Sequence, residues 1–305
     1  EDPMKTSLAA LAIGLGAALL AAPRPAGAQT TMDTVVAVRS GARFELQNIS
    51  GTVQVRTTRR AEIRVHVEYD RARIEFDASP SAVSVRTVPR RNGGDADYTI
   101  EVPANTPLTV NGISSDIDVQ GVCGEAELQS VSGDVHLTCA QGNVSVTSVS
   151  GDVTLSDARG RVEVSSTSGD VTVRGARADL AAHSVSGDVL LDRIEGQEVT
   201  AETVSGQVDF SGPIRNGGRY RFQSHSGDVT IRPDGALNAT ISVSTFSGDF
   251  EPDFPVTLTR GGHVRSREFE FTVGNGSARL TLSSFSGTIY LRRAGGAAPT
   301  REEER

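Results

Sequence analysis

The sequence contains no tryptophan, and aromatic residues make up only 5% of its 305 positions. Apolar residues reach 37% and are mostly Val, Ala, Leu and Ile. A compact α/β enzyme of this length usually carries more large side chains, so that class is not favoured. Lysine occurs once, at Lys5, and the formal net charge is −8. Nucleic acid is therefore not expected as a partner, because phosphate binding needs a concentrated basic face.

Glycine, in contrast, occurs 32 times, and Ser, Thr and Val are abundant. This composition indicates many short strands joined by tight turns. The tripeptide Ser-Gly-Asp recurs at a strict spacing of 18 residues, with copies that begin at Ser132, Ser150, Ser168 and Ser186. Degenerate or more widely spaced copies begin at Ser50, Ser114, Ser205, Ser226, Ser247 and Ser286. A fixed period of this length is the signature of a repeat architecture.

One repeat unit, residues 149–166, contains two short alternating segments and two turn-like corners. Val149, Gly151, Val153 and Leu155 share one parity, which we expect to face inward. A single unit cannot bury its apolar face, whereas stacked units can. The sequence therefore predicts an all-β protein, a parallel β-solenoid (β-helix) of about 18-residue coils with irregular β caps at both ends. Two sheets per coil are preferred, and a three-sided coil stays open.

The chain divides into five parts on this interpretation. Residues 1–28 combine a cloning remnant with a signal peptide, which has a charged start at Lys5, a short apolar run and an Ala-Gly-Ala end before Gln29. Residues 29–110 form an N-terminal β cap or irregular first coils, and 111–250 form the regular solenoid. Residues 251–293 form C-terminal coils and a cap, and 294–305 form a disordered tail. We expect an exported protein of the periplasm, cell surface or extracellular space, with no membrane insertion after cleavage.

Two sequence phrases frame the repeats and resemble a known family. The segment 100–110, Ile-Glu-Val-Pro-Ala-Asn-Thr-Pro-Leu-Thr-Val, runs into the Ser-Gly-Asp-Val units, and Ser-Gly-Thr-Ile-Tyr-Leu closes them at 286–291. Together they resemble the bacterial DUF4097 group of β-strand-repeat adhesin-like proteins, similar in pattern to the head domains of autotransporter-like adhesins. The resemblance covers roughly residues 34–293 and implies a β-helical fold and an envelope location. It implies no catalytic residues.

The repeated aspartates are the sharpest candidate site, because they occupy equivalent positions on the outside of successive coils: Asp116, Asp134, Asp152, Asp170 and Asp188. A row of carboxylates is suited to Ca²⁺ or another hard cation. The alternative, which we favour, is turn chemistry in which Asp and Ser accept backbone N–H groups at the corner. No other cofactor is expected. The paired nonapeptides of calcium-binding rolls carry more glycine than this motif does.

Cys123 and Cys139 are the only cysteines, and they lie in the turns of consecutive coils. An even pair in an oxidising compartment favours a disulfide, although a spacing of 16 residues places the two cysteines two positions out of register. Two free thiols are the alternative.

The sequence favours a non-enzymatic binding or adhesion scaffold that presents a repetitive surface to an envelope protein, a glycan or another surface ligand. A periplasmic structural or regulatory protein that docks another envelope protein is the alternative. A carbohydrate-active enzyme is the least favoured class, because carboxylates spread evenly along a stack match a catalytic pair poorly.

Overall fold

The computed structural model describes residues 30–90, 94–253, 258–261 and 267–293. The predicted signal peptide and the predicted C-terminal tail lie outside these ranges. All regular elements in the described residues are β-strands. The described residues therefore contain no helix that could cross a membrane. The all-β prediction is confirmed.

Seven strands precede the regular coils: β1 (Thr30–Ala37), β2 (Arg43–Thr58), β3 (Glu62–Asp70), β4 (Ala72–Ser79), β5 (Ala82–Pro89), β6 (Asp95–Pro103) and β7 (Leu108–Gln120). Twelve strands form the regular coils: β8 (Ala126–Ser130), β9 (Val135–Thr138), β10 (Gln141–Ser148), β11 (Val153–Ser156), β12 (Arg159–Ser166), β13 (Val171–Arg174), β14 (Arg177–Ser184), β15 (Val189–Asp192), β16 (Glu198–Thr203), β17 (Val208–Gly212), β18 (Arg219–Ser224) and β19 (Val229–Pro233). Six strands close the fold: β20 (Ala239–Thr245), β21 (Phe250–Pro252), β22 (Leu258–Gly261), β23 (Arg267–Val273), β24 (Ala278–Ser284) and β25 (Ile289–Leu291).

Each regular coil contributes one strand to each of two parallel sheets. The even-numbered strands β8 to β18 pair with one another in the first sheet, and the odd-numbered strands β9 to β19 pair in the second. The register follows the repeat, since Val144 pairs with Val162 and Val153 with Val171. The long strand β7 passes through both sheets, pairing with β8 and with β9. The parallel solenoid with two sheets per coil is therefore confirmed.

The inward positions of both sheets form one continuous apolar core along the stack. Val135 and Leu137 of one coil lie beneath Val153 and Leu155 of the next, and all four side chains are buried. The same is true of the matching positions in the first sheet and in later coils: Val144, Val146, Val162, Val164, Val171, Val173, Leu180 and Ala182. Stacking thus removes from water the apolar face that a single coil would leave exposed.

The order of coils in space differs from their order along the chain at the C-terminal end. Strand β24 pairs on one side with β18 and on the other with β20, and β25 likewise lies between β19 and β21. The last coil of the chain is therefore inserted between two coils that precede it. Strands β23 and β22 then continue the first sheet beyond β20 in antiparallel pairing. This arrangement accounts for the 39-residue interval before the last motif.

The N-terminal end shows the same arrangement. Strand β2 passes through both sheets and lies between β7 on one side and the coil formed by β5 and β6 on the other. The outer coil is covered by antiparallel strands, with β4 against β5, β3 against β6 and β1 against β3. The described residues between 30 and 110 thus include both irregular coils and antiparallel covering strands.

Candidate binding ridge

The corner that contains Ser-Gly-Asp is closed by a buried serine that precedes the motif by two residues. The amide of Gly169 donates to Ser166 Oγ at 3.0 Å, and Ser166 Oγ donates to the carbonyl of Gly151 in the preceding coil at 3.2 Å. Ser184 makes the same pair of bonds with Gly187 and with Gly169. Each of these buried hydroxyls therefore closes its own turn and holds it to the preceding coil, which satisfies backbone groups that water cannot reach.

The motif glycine lies where two coils approach most closely. A Cβ atom at Gly151 would stand 2.1 Å from the carbonyl oxygen of Gly133, and the equivalent position at Gly169 gives the same distance to Gly151. Neither glycine has a positive φ. These glycines are therefore needed because a side chain would collide with the neighbouring backbone, and not because the turn requires a positive φ.

The five aspartates form one exposed column, as the repeat predicts. In each step the carboxylate Oδ1 accepts the backbone N–H of the next aspartate, at 3.1 Å from Asp116 to Asp134 and at 2.8–2.9 Å from Asp134 through Asp152 and Asp170 to Asp188. Asp188 passes the pattern on by accepting the amide of Gln207 at 2.8 Å. The carboxylates thus accept backbone N–H groups at the corner, but those of the next coil, and the serine that closes the turn is the buried one and not the motif serine.

A metal site at the aspartate column stays a prediction. Among the described residues, no three His, Cys, Asp or Glu side chains are grouped closely enough to hold a metal ion. Calorimetry with millimolar Ca²⁺ tests the hypothesis. Binding heat that disappears in the Asp134→Asn/Asp152→Asn variant would support it, because the amide oxygen preserves the turn bond but removes charge. Absence of heat in the unaltered protein would rule it out.

The residue between the buried serine and the motif serine points into solvent. Gly151 N–H bonds to Ser148 Oγ at 3.0 Å, so the chain turns there instead of continuing its alternation, and Val149 projects from the tip. Val149 is 42% exposed. The prediction that Val149 faces inward is wrong, because Ser148 occupies the inner position next to it. The outward position of the motif serine, such as Ser150, is confirmed.

Stacking aligns this projecting residue in every coil, and we call the resulting column the ridge. In order along the stack it consists of Ile113, Val131, Val149, Thr167, Val185, Val204, His225, Phe285 and Phe246. Seven of these nine residues are large, apolar and exposed, and the other two are Thr167 and His225. Elsewhere in the described part of the chain, Val35 is the one exposed large apolar side chain. An apolar line of this length on an otherwise polar surface indicates an interaction site.

Three aromatic rings end the ridge. The rings of His225 and Phe285 are stacked with centroids 4.7 Å apart and planes 9° apart, and Phe285 and Phe246 are stacked at 4.7 Å and 4°. Phe246 is 59% exposed. The stack exists only because the last coil is inserted between two earlier ones, which places residue 285 between residues 225 and 246 in space.

The two sides of the ridge differ in charge. On one side lie the exposed motif serines and, beyond the buried glycine, the aspartate column. On the other side lies a polar column that is uncharged over its first four coils, with Asn111, Gln129, Thr147 and Ser165. In the following coils this column continues with His183 and Glu202, which lie 3.7 Å apart (Nδ1 to Oε2), and then with Gln223. The ridge therefore has one acidic flank and one flank that is mostly uncharged.

The opposite corner of the solenoid carries arginine. Arg159 and Arg177 are register partners in neighbouring coils, and Arg177 Nε lies 3.5 Å from Glu195 Oε2. They border a recess of about 440 Å³ that also includes Asp157 and Arg193. These side chains balance one another in part, and exposed ion pairs of this kind contribute little stability.

Both cysteines are free thiols in this structure. Cys139 is exposed, and it adopts a positive φ of 58° at the arginine corner. Cys123 is half-buried and its Sγ lies 3.8 Å from the carbonyl oxygen of Gly121. The disulfide stays a prediction, and mass spectrometry of the alkylated, non-reduced protein tests it: two modified cysteines would contradict it.

Buried ionisable groups are placed in structural roles. Burial raises the pKa of Tyr98 to about 12, although its hydrogen bond with Thr87 at 2.7 Å acts in the opposite direction. Burial also raises the pKa of Tyr220, whose hydroxyl donates to the carbonyl of Gly196 at 2.8 Å and accepts the amide of Arg215. The Tyr98 hydroxyl thus bonds to a buried side chain, whereas the Tyr220 hydroxyl satisfies two backbone groups.

Together, the fold and its repeated corner define a parallel β-solenoid repeat protein. The chain belongs to the Toastrack DUF4097 family, whose family model matches residues 43–292. No curated protein matches the chain at a significant level.

The chain is similar to two crystal structures among those compared. A candidate cell adhesion protein from Clostridium sporogenes is 10% identical, with coverage of 87% of this chain and 99% of the other and a TM-score of 0.28. A candidate adhesin from Bacteroides fragilis is 12% identical, with coverage of 86% and 96% and a TM-score of 0.46. Both TM-scores lie below 0.5, so nothing about the fold or function of this chain is argued from these two structures.

Proposed function

We propose that this protein is an exported, non-enzymatic binding scaffold of the cell envelope, of the adhesin type, and that the ridge is its contact surface. The observation that supports this proposal most strongly is the concentration of exposed large apolar side chains on one line. Monomeric proteins rarely leave such a line in water unless it contacts something else. Its partner is an envelope protein, a glycan or another surface ligand.

The rigidity of the solenoid supports a role in binding. Ridge residues such as Val149 and Thr167 are fixed by backbone turns that a buried serine closes, so little conformational freedom remains to be lost on contact. Contacts that repeat coil by coil are individually weak, but they act together when a partner spans several of them. A ridge of this kind favours an extended surface over a small molecule.

The corner chemistry does not favour catalysis. The aspartates of the column use Oδ1 to hold backbone amides, and they are spaced evenly along the stack. A hydrolase acting on polysaccharide needs two carboxyl groups that face each other across the scissile bond. The even spacing of the column along the stack does not by itself provide that arrangement.

The test is binding of the purified protein to native cells and isolated envelopes. The variant Val149→Ser/Val185→Ser shortens the apolar line, and Thr167 shows that this column accepts a polar residue within the fold. We expect at least about a tenfold loss of binding, because two half-exposed apolar side chains lose their contacts. The control variant Arg159→Ser/Arg177→Ser alters the opposite corner. Equal binding by all three proteins would contradict the proposal.

A further inference from the structure

The spacing of the ridge restricts what can cover it. Neighbouring coils lie about 4.8 Å apart, and eight such steps from Ile113 to Phe246 span about 38 Å. A partner with a different repeat falls out of register within a few coils. A second copy of this chain has the same spacing along its whole length, so every ridge residue can meet an equivalent one.

The area of the ridge matches a weak contact between two copies. The ridge sits on a convex corner, so contact extends only to the column on either side. A strip about 38 Å long and about 13 Å wide covers roughly 500 Å² on each copy, which is near the lower limit for specific association. Self-association through the ridge should therefore depend on concentration and should be strengthened by crowding on a surface.

The charges beside the ridge select the orientation of the two copies. If the solenoids were antiparallel, the aspartate column of one copy would face the aspartate column of the other. If they are parallel, with the two-fold axis along the stack, each aspartate column faces the column that contains Gln129, Thr147 and Ser165. The carboxylate in that column, Glu202, then faces Gln207, which follows Asp188 in the aspartate column. Like carboxylates repel whereas amides and hydroxyls can donate to them, so the parallel arrangement is favoured.

We propose that the ridge packs against the ridge of a second copy in a parallel, side-by-side dimer. This inference rests on the proposed function, because it names a partner for the same surface. Val149 then meets Val149 of the other copy, and the aromatic stack that begins at His225 meets its own equivalent. The contact buries the apolar line that a single copy leaves in water.

Two measurements on the purified protein test the dimer. Sedimentation velocity at increasing concentration should show a shift from monomer to dimer, and Val149→Ser/Val185→Ser should weaken this association at least about tenfold. Thiol cross-linking then tests the orientation. In the Cys123→Ser/Cys139→Ser background, the cysteine of Val131→Cys should form a disulfide with the same position in the second copy.

The second cross-linking position lies near the other end of the ridge. The cysteine of Phe285→Cys should also form a disulfide with the same position in the second copy. Ser145→Cys is exposed on the first sheet, away from the ridge, and should not cross-link. Cross-linking only in a mixture of Val131→Cys and Phe285→Cys would show an antiparallel pair and overturn the proposal. A monomer at all concentrations would overturn it as well. In that case, ridge-dependent binding to envelopes would still support the proposed function with a different partner.

Discussion

Replacement of the motif glycine at position 151 by alanine tests how closely the coils are packed. The added Cβ would stand 2.1 Å from the carbonyl oxygen of Gly133 and 2.5 Å from its carbon. An ordinary contact needs about 3.5 Å, so the two coils must separate locally by more than about 1 Å. The backbone of Gly133 is itself held in a turn, so it cannot move away cheaply.

The expected cost combines overpacking with weakened hydrogen bonds. Overpacking typically costs about 1–3 kcal/mol. Separation also strains two hydrogen bonds that cross the same gap, from the Ser150 amide to the carbonyl of Val131 and from the Asp152 amide to Asp134 Oδ1, both 2.9 Å. Each is worth about 1 kcal/mol. We therefore expect Gly151→Ala to lower the free energy of unfolding by about 3–5 kcal/mol.

Urea unfolding followed by circular dichroism measures this loss, and Gly235→Ala is the matched control. Gly235 has a φ of +86° but no atom within 4 Å of an added Cβ. Its substitution strains only the local backbone, at about 1–2 kcal/mol. A Gly151→Ala variant that is no less stable than Gly235→Ala would refute the argument from close approach.

Three further predictions concern buried groups. Ser166→Ala removes both bonds of the buried hydroxyl and should cost about 2 kcal/mol in urea unfolding, whereas Ser166→Thr should cost under about 0.5 kcal/mol because threonine occupies this place in two other coils. In the coil of Gly112 and Ser115, the glycine stands where other coils have the buried serine and the serine stands where they have the motif glycine, and Ser115 Oγ has no hydrogen-bond partner. Gly112→Ser/Ser115→Gly should therefore raise the free energy of unfolding by about 1 kcal/mol. A double variant no more stable than the original protein would contradict this. Tyr98 keeps its proton in the fold up to a pKa of about 12 but loses it near 10.0 when unfolded, so stability is complete below pH 10 and falls as pH rises toward 12. Between pH 10 and 12 this loss should amount to roughly 2–3 kcal/mol of the free energy of unfolding. In unfolding experiments at alkaline pH, Tyr98→Phe should remove most of it.

The 18-residue period predicts the coil, the two sheets and the buried positions correctly because these depend on local alternation and on stacking of identical units. It fails at Val149, since alternation stops where a side-chain hydroxyl closes a turn. The apolar residue after each buried serine repeats from Val131 to Val204, with Thr167 as the exception, and that repetition was the signal for the ridge.

The insertion of the last coil could not be predicted from spacing alone. Strand β24 has a suitable apolar face for any position in the stack, because neighbouring coils present almost the same surface. Its place is set by long-range pairing with β18 and β20. The aromatic stack of His225, Phe285 and Phe246 depends on that pairing, and it was therefore not visible in the sequence.

A binding scaffold of the adhesin type reaches its ligand only if its ridge is presented at the outside of the cell. Treatment of intact native cells with a broad-specificity protease, followed by immunoblotting for this protein and for a periplasmic control, tests this requirement most directly. This protein should be cut while the control survives. Protection until the outer barrier is opened would contradict surface display and would direct the search to a periplasmic partner.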